Sequence, residues 1–473
     1  MRRTIVRLLS TAAFAPAFAA AQSPALSPVQ QTARDVLKEL IDINTDSDSG
    51  STTIAAKAVA KRLIAAGIPQ ADVQIVGPAG SKNHSLVARL RGTGKRKPIL
   101  LLAHLDVVPA RRADWSVEPY KLTEKDGFFY GRGTSDIKDG AALLVAALIQ
   151  LKRDGVVPDR DIILALTAGE EAGDGDENGV TYLLTHRKEL VDAEFVWNVD
   201  GGDPQIQKGK RIARTVQASE KVYASFQLEV TNPGGHSSLP TKENAIYRLA
   251  AGLSRLAAYD FPVKLNEITR GWFAQVATTE SAATAKDIRA LLAPGSAAAL
   301  ASAAVGRLSA TPLYNAQMRT TCVATMLQGG HAENALPQRA TAVVNCRILP
   351  GESPDSVRLT LERVIGDKRV TLKNVADARP SPASPLKPEI MGPIERVTAK
   401  MWPGVPVVPV METGATDGLY FRKAGIPTYG VSTVFLDVDD IRAHGKDERI
   451  IVKEFDAGAE YALALLKAFV TQN

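Results

Sequence analysis

His104, Asp136, Glu170, Glu171, Asp200 and His444 are placed along the chain in a way that can hold two metal ions. Three short apolar runs, Pro98 to Ala103, Ile162 to Thr167 and Phe195 to Val199, read as buried strands. His104, the two glutamates and Asp200 lie at or just beyond their carboxyl ends. In an open parallel sheet such strands finish on a common edge, and ligands bind outside it. Two imidazoles with several carboxylates suit zinc, and less cleanly manganese or cobalt. The set contains no thiol, which argues against a closed structural zinc site. Hydrolytic chemistry is expected.

The local spacing assigns parts of this chemistry. In His104-Leu105-Asp106 a strand period of two puts imidazole and carboxylate on one side of the backbone. A metal-bound histidine commonly gives its second N–H to a carboxylate, so Asp106 is the expected partner of His104. Asp136 follows the glycine-rich Gly131-Arg132-Gly133-Thr134-Ser135, where its two oxygens can bridge two ions. Glu170 and Glu171 are adjacent and point apart, so one can bind metal while the other faces a water as general base. Taken singly, a buried histidine or a strand-end carboxylate is more often structural, and adjacent glutamates are usually a solvated pair. The order and context of all six outweigh those plainer readings.

The elements that must carry these residues alternate. Helices are expected over Pro28 to Ile43 and Thr52 to Gly67, and strands over Asp72 to Val76, His84 to Arg91 and Ile99 to Ala103. Helices Gly140 to Arg153 and Gly179 to Glu189 then interleave with the remaining apolar strands. This implies an α/β fold, a mostly parallel sheet covered by helices on both faces. Near Val216 the pattern changes to strand Ala224 to Thr231, helix Asn244 to Ala257 and an Ala-rich stretch to about Pro312. Strands Arg319 to Leu327 and Ala340 to Ile348, helix Pro354 to Ile365 and strand Val370 to Ala376 follow. Without the Ala-rich stretch this is a ferredoxin-like β-α-β-β-α-β unit inserted into the larger domain. Pro380, Pro382 and Pro385 mark a linker. Strands Val407 to Met411 and Thr428 to Val434 and helix Val452 to Thr471 return to the first domain. The expected division is 22–215, 216–381 and 382–473.

Residues 1–21 read as a signal peptide: Arg2, Arg3 and Arg7, an apolar stretch from Leu8 to Ala20, and small residues in A-x-A form. An exported protein, periplasmic or secreted, is expected. Setting that leader aside lowers the formal charge from +6 to +3, too little to argue for nucleic acid or a membrane surface as partner. The two cysteines, Cys322 and Cys346, face each other if their strands pair about Asn334. A disulfide and two buried thiols are equally open readings.

Together these residues resemble the co-catalytic zinc exopeptidases, the family of aminoacylase, carnosinase, glutamate carboxypeptidase and yeast carboxypeptidase S. The match spans nearly the whole chain after the leader. It rests on His104-Leu105-Asp106-Val107-Val108-Pro109, Gly131-Arg132-Gly133 with Asp136, Gly169-Glu170-Glu171, Asp200 and His444. Gly234-Gly235-His236-Ser237-Ser238 and Asn334-Ala335-Leu336-Pro337 add to it. The resemblance implies one ion on His104, Asp136 and Asp200, and another on Asp136, Glu171 and His444, with Glu170 as base. It also implies that the inserted unit is a lid and dimerisation domain. His236 would then stabilise the oxyanion in the partner subunit's site of a homodimer. Asn334, Arg347, Gly414 and Thr416 would hold the substrate, Arg347 through a terminal carboxylate. The implied activity is metal-dependent hydrolysis of a peptide or N-acyl amide bond in a small peptide or N-acyl amino acid. Carboxypeptidase, dipeptidase and aminoacylase readings remain open. A lidless aminopeptidase and a non-catalytic peptide- or metal-binding protein are the rivals. Asp174-Gly175-Asp176-Glu177 departs from the family by its acidity.

Overall fold

Strands Ile99–His104 and Ile162–Thr167 are buried along their whole length, as continuous apolar runs require. In this computed structural model, which describes residues 25–293, 303–375 and 378–471, they form the middle of a ten-stranded sheet. The expected leader lies outside the described residues.

Ile99, Leu101 and Ala103 pack with helices Pro28–Asp42, Lys138–Arg153 and Val452–Val470, while Leu100 and Leu102 pack with helices Gly179–His186 and Gly418–Lys423. The strand period of two thus feeds two helical layers, one on each face. Ser27 starts the first helix through a capping box with Gln30.

From one edge the sheet runs Val73–Val76, Ser85–Leu90, Ile162–Thr167, Ile99–His104, Phe195–Asn198, Thr428–Gly430, Lys210–Glu220, Gln205–Gln207, Leu436–Asp437. Val407–Glu412 lies parallel on Lys210–Glu220. The central ladders, including those of Phe195–Asn198 with Ile99–His104 and Thr428–Gly430, are parallel. The first two strands and Lys210–Glu220 against Thr428–Gly430 are antiparallel.

One residue, Lys221, separates Lys210–Glu220 from Val222–Thr231, and there the chain passes from the large sheet into a four-stranded antiparallel one. That second sheet has the order Thr321–Gly329, Arg339–Ile348, Val222–Thr231, Thr371–Asn374. Helices Ala245–Ala257 and Pro354–Ile365 pack on one face through Leu249, Val357, Leu361 and Ile365. Cys322 and Cys346 sit opposite each other in the hairpin and form a disulfide.

The Ala-rich stretch forms helices Glu267–Thr279, Ala282–Leu292, Ala303–Ser309 and Pro312–Met318, with a core of Phe273, Ile288, Leu308 and Tyr314. Trp272 meets Val408 and Val410, so this insertion covers the outer strands of the large sheet. One expectation is corrected, and three features add to the others. Thr428 to Val434 is strand only to Gly430, because Val431 and Ser432 turn to bond Asn198 and Gly201. Lys210–Glu220 and helix Pro388–Met401 were not expected. The proline linker is held to the large sheet: Ser384 donates its N–H to the Ala218 carbonyl and its hydroxyl to that of Thr428. No helix among the described residues is long and apolar enough to cross a membrane.

Candidate active site

His104 ends its strand with the ring buried, and its Nδ1 lies 2.9 Å from the backbone oxygen of Asp106. The Asp106 carboxylate is 3.9 Å from that nitrogen, too far to be the expected direct partner. Its two oxygens instead accept the N–H groups of Glu170, at 3.2 Å, and Glu171, at 3.0 Å. Asp106 therefore sets the turn that aims both glutamates, while its carbonyl orients the imidazole. That turn needs a glycine before it. Gly169 has φ +74, and a Cβ there would lie 2.2 Å from the Glu177 carbonyl oxygen.

Asp136 brings the two imidazoles together. Its Oδ1 is 3.3 Å from His104 Nε2 and its Oδ2 is 3.0 Å from His444 Nε2. His444 Nε2 is also 3.0 Å from Glu171 Oε1. On the other side His104, Glu170 and Asp200 offer donor atoms within 4.8 Å of one another, as do His104, Asp136 and Glu171. Asp200 is fixed by Asn198, which accepts its N–H and donates to its carbonyl. All six expected residues thus converge at one sheet edge. Both glutamates reach the donor cluster, one from each side of His104.

The electrostatics fit divalent cations. Burial raises Glu170, Glu171 and Asp200 above the usual carboxylate range, Glu170 further through the charge of Asp200. His104 is raised despite its burial, through Asp136 and the surrounding carboxylates. Contact with Asp136 lifts His444 to about 9. Among the described residues no lysine or arginine pairs with Asp136, Glu170, Glu171 or Asp200. His104 Nε2 is buried facing this cluster, 3.3 Å from Asp136 Oδ1 and without a well-directed hydrogen bond. A metal pair answers both the uncompensated charge and that nitrogen.

A cavity of about 520 Å³ opens from Glu170, Glu171 and His444 toward the smaller sheet. Arg347, Gly414 and Thr416 line it as expected, together with Lys221, Tyr223 and Tyr420. Arg347 lies over the Tyr223 ring at 4.8 Å and has no carboxylate partner among the described residues. Thr416 is buried and donates its N–H and hydroxyl to Glu220. Gly414 has open space where a side chain would start, so sterics do not demand glycine there.

His236 and Asn334 are not among the lining residues of their own chain. Both are exposed, near the short pairing of Gly235–His236 with Ala335–Leu336. Sequence reasoning missed three buried groups. Asp417, raised to about 6 by burial, accepts from Thr167 and Asn178 beneath the glutamates. Arg132 and Glu448 form a buried ion pair behind Asp136. Glu448 lies four residues past His444, a spacing that gives no chemical signal on its own.

A carboxylate-rich, two-imidazole sheet edge with a second sheet above it defines a metal-dependent hydrolase of peptide or amide bonds. The chain belongs to Peptidase family M20/M25/M40, whose pattern matches residues 100–468. It is 31% identical over 378 residues to the human N-fatty-acyl-amino acid synthase/hydrolase PM20D1, covering 78% of this chain and 74% of that protein. It is also 31% identical to the probable carboxypeptidase S-like 2 of Dictyostelium discoideum, covering 81% and 74%. The fold matches the M20 family metallo-carboxypeptidase Sso-CP2 of Sulfolobus solfataricus, with TM-score 0.67, 18% identity and coverage of 92% and 99%. It likewise matches human carnosine dipeptidase 1, with TM-score 0.60, 17% identity and coverage of 93% and 96%.

Proposed function

We propose that this hydrolase is a zinc enzyme of carboxypeptidase type, cleaving the amide whose amine half carries a free carboxylate. One observation carries the reading: Arg347 lines the same cavity as Glu170, Glu171 and His444 and has no carboxylate partner among the described residues. N-acyl amino acids meet the same requirement, and the names of the human and Dictyostelium relatives support the two substrate types equally.

Zinc, held by His104, Asp136 and Asp200 and by Asp136, Glu171 and His444, would polarise the scissile carbonyl and acidify the attacking water. Glu170, kept basic by burial and by Asp200, accepts the proton of that water and returns it to the leaving amine nitrogen as the C–N bond breaks. Asp106 holds the backbone from which Glu170 acts. Arg347 sets the register of the substrate by gripping its carboxylate bidentately.

A substrate panel tests this. Dipeptides and N-acyl amino acids with a free carboxylate should be hydrolysed, and their amidated counterparts should lose about 10–100-fold in kcat/KM, the worth of one charged hydrogen-bonded contact. Equal rates with blocked substrates would exclude the carboxylate reading. Arg347→Ala should raise KM by a similar factor for free acids and leave amidated substrates unchanged.

His236 is assigned to the partner's oxyanion, supported by its exposure on the lid outside its own cavity. A homodimer through the lid is supported by Val323, Met326 and Leu327, exposed on the edge strand, and by Tyr247 on the adjacent helix. Mixing inactive Glu170→Gln and His236→Ala proteins should then restore up to roughly a quarter of wild-type activity, since half the dimers each gain one complete site. Subunits that exchange without recovery would defeat cross-subunit catalysis. Export to the periplasm or medium is supported by the leader pattern and by the Cys322–Cys346 disulfide, which persists in oxidising compartments.

A further inference from the structure

We infer that the buried pair Arg132–Glu448 is a positioning device for one of the two ions, setting two of its three donors at once. The inference rests on the donor sets proposed above. Glu448 is fully buried and takes five hydrogen bonds from the segment that ends in Asp136. Its Oε2 accepts from Arg132 Nη1 at 2.5 Å and Gly133 N at 3.1 Å. Its Oε1 accepts from Ser135 N at 2.7 Å, Ser135 Oγ at 3.1 Å and Asp136 N at 3.1 Å.

The same pair reaches the other donor. Arg132 Nη2 donates to the carbonyls of His444, at 3.3 Å, and Gly445, at 3.1 Å. The Gly131 N–H meets the Glu448 carbonyl at 3.1 Å. His444 has φ +62, a left-handed conformation that costs a non-glycine residue and persists only where neighbours over-determine it. Those bonds to the carbonyls of His444 and Gly445 supply that constraint, and the Arg132 guanidinium is in turn stacked over Trp115 at 5.1 Å.

The two ions depend on this pair unequally. His104 and Asp200 are placed by the ends of their own strands and by Asn198, with no hydrogen bond or ion pair to Arg132 or Glu448 among the described residues. Of their set only Asp136 is held by the pair. In the other set both Asp136 and His444 are held by it, and only Glu171 is set independently, by Asp106. Loosening the pair therefore weakens one ion far more than the other. Glu448→Gln turns one acceptor into a donor facing N–H groups, and Arg132→Lys keeps the charge but not the fork that spans Glu448 and two carbonyls.

The experiment is equilibrium dialysis of the full chain against zinc chloride, with metal content read by atomic emission and folding by thermal melts of the metal-free proteins. Glu454→Gln is the control, because its buried carboxylate pairs with Arg211 and touches no proposed donor. At zinc concentrations that fill two positions in the wild type, Glu448→Gln and Arg132→Lys should hold one ion. The affinity of the lost ion should fall about 10–100-fold, the usual effect of removing a group that supports metal ligands. Glu454→Gln should keep both. If Glu448→Gln does not fold, Arg132→Lys decides. A folded variant that keeps both ions at wild-type affinity, or loses both equally, overturns the inference, and so does loss of the same ion from Glu454→Gln. A wild-type chain that binds fewer than two ions overturns the dinuclear reading, and this inference with it.

Discussion

Glu170→Gln should lower turnover by about 10²–10⁴-fold, the contribution of a positioned general base, while metal content stays at the wild-type value. The substitution keeps the shape of the side chain. It also keeps the bond from its backbone N–H to Asp106, so the turn that aims Glu171 survives. What it removes is the carboxylate oxygen that takes the proton of the attacking water. Kinetics on a free-carboxylate substrate, with metal analysis of the same preparation, give the answer. Near-normal turnover with full metal content would reject Glu170 as base. Loss of one ion would instead make Glu170 a ligand, which its closeness to His104 and Asp200 also allows.

Removing the metals should have the larger effect. Exhaustive chelation should reduce activity to background, and stoichiometric zinc should restore it, with cobalt or manganese as substitutes of different efficiency. The charge distribution supplies the reason. Four carboxylates crowd one sheet edge without an arginine or lysine partner among the described residues, so bound ions would supply the positive charge that this edge itself lacks beside the scissile carbonyl. The metal-free chain should also melt at a lower temperature than the loaded one, because ligands that bind only the folded state stabilise it. Full activity in a sample shown by emission spectroscopy to contain no metal would defeat the catalytic reading entirely.

His104, Glu170, Glu171 and Asp200 are legible in the sequence because they lie at or just beyond apolar runs whose burial is nearly obligatory. Ile99–His104 and Ile162–Thr167 are buried at every position, and that continuity alone marks them as central strands with functional ends. Lys210–Glu220 was missed for the opposite reason. It buries Arg214, Gln217 and Glu220, and Arg214 lies over the Tyr461 ring at 4.1 Å. Partners of that kind, far away in sequence, make a polar strand look exposed. Helix Pro388–Met401 carries Pro393 in its interior, which local propensity counts against a helix but which packing tolerates. The period-two reading pairs the Asp106 carboxylate with His104, whereas the strand ends at His104 and that carboxylate accepts from Glu170 N and Glu171 N. Its distance from the imidazole depends on the Gly169 turn, formed 63 residues later in the chain. Glu448 was invisible because a glutamate among charged neighbours declares nothing until its five donors converge on it.

The single-residue crossing at Lys221 attaches the smaller sheet along one side, as a door is hung. The other attachments, the helical insertion that packs Trp272 on Val408 and Val410 and the segment held by Ser384 to Ala218 and Thr428, are fastened to the same sheet, so the hinges share one frame. Val222 pairs with Ile348 at the hinge end and Thr231 with Arg339 at the free end, so the leaf extends about 30 Å at strand rise. A swing of about ten degrees would move the free edge, with His236 and Asn334, by about 5 Å, but would shift Arg347 by about 1 Å. The group proposed to read the substrate's carboxylate therefore stays in register with Thr416 while the door moves.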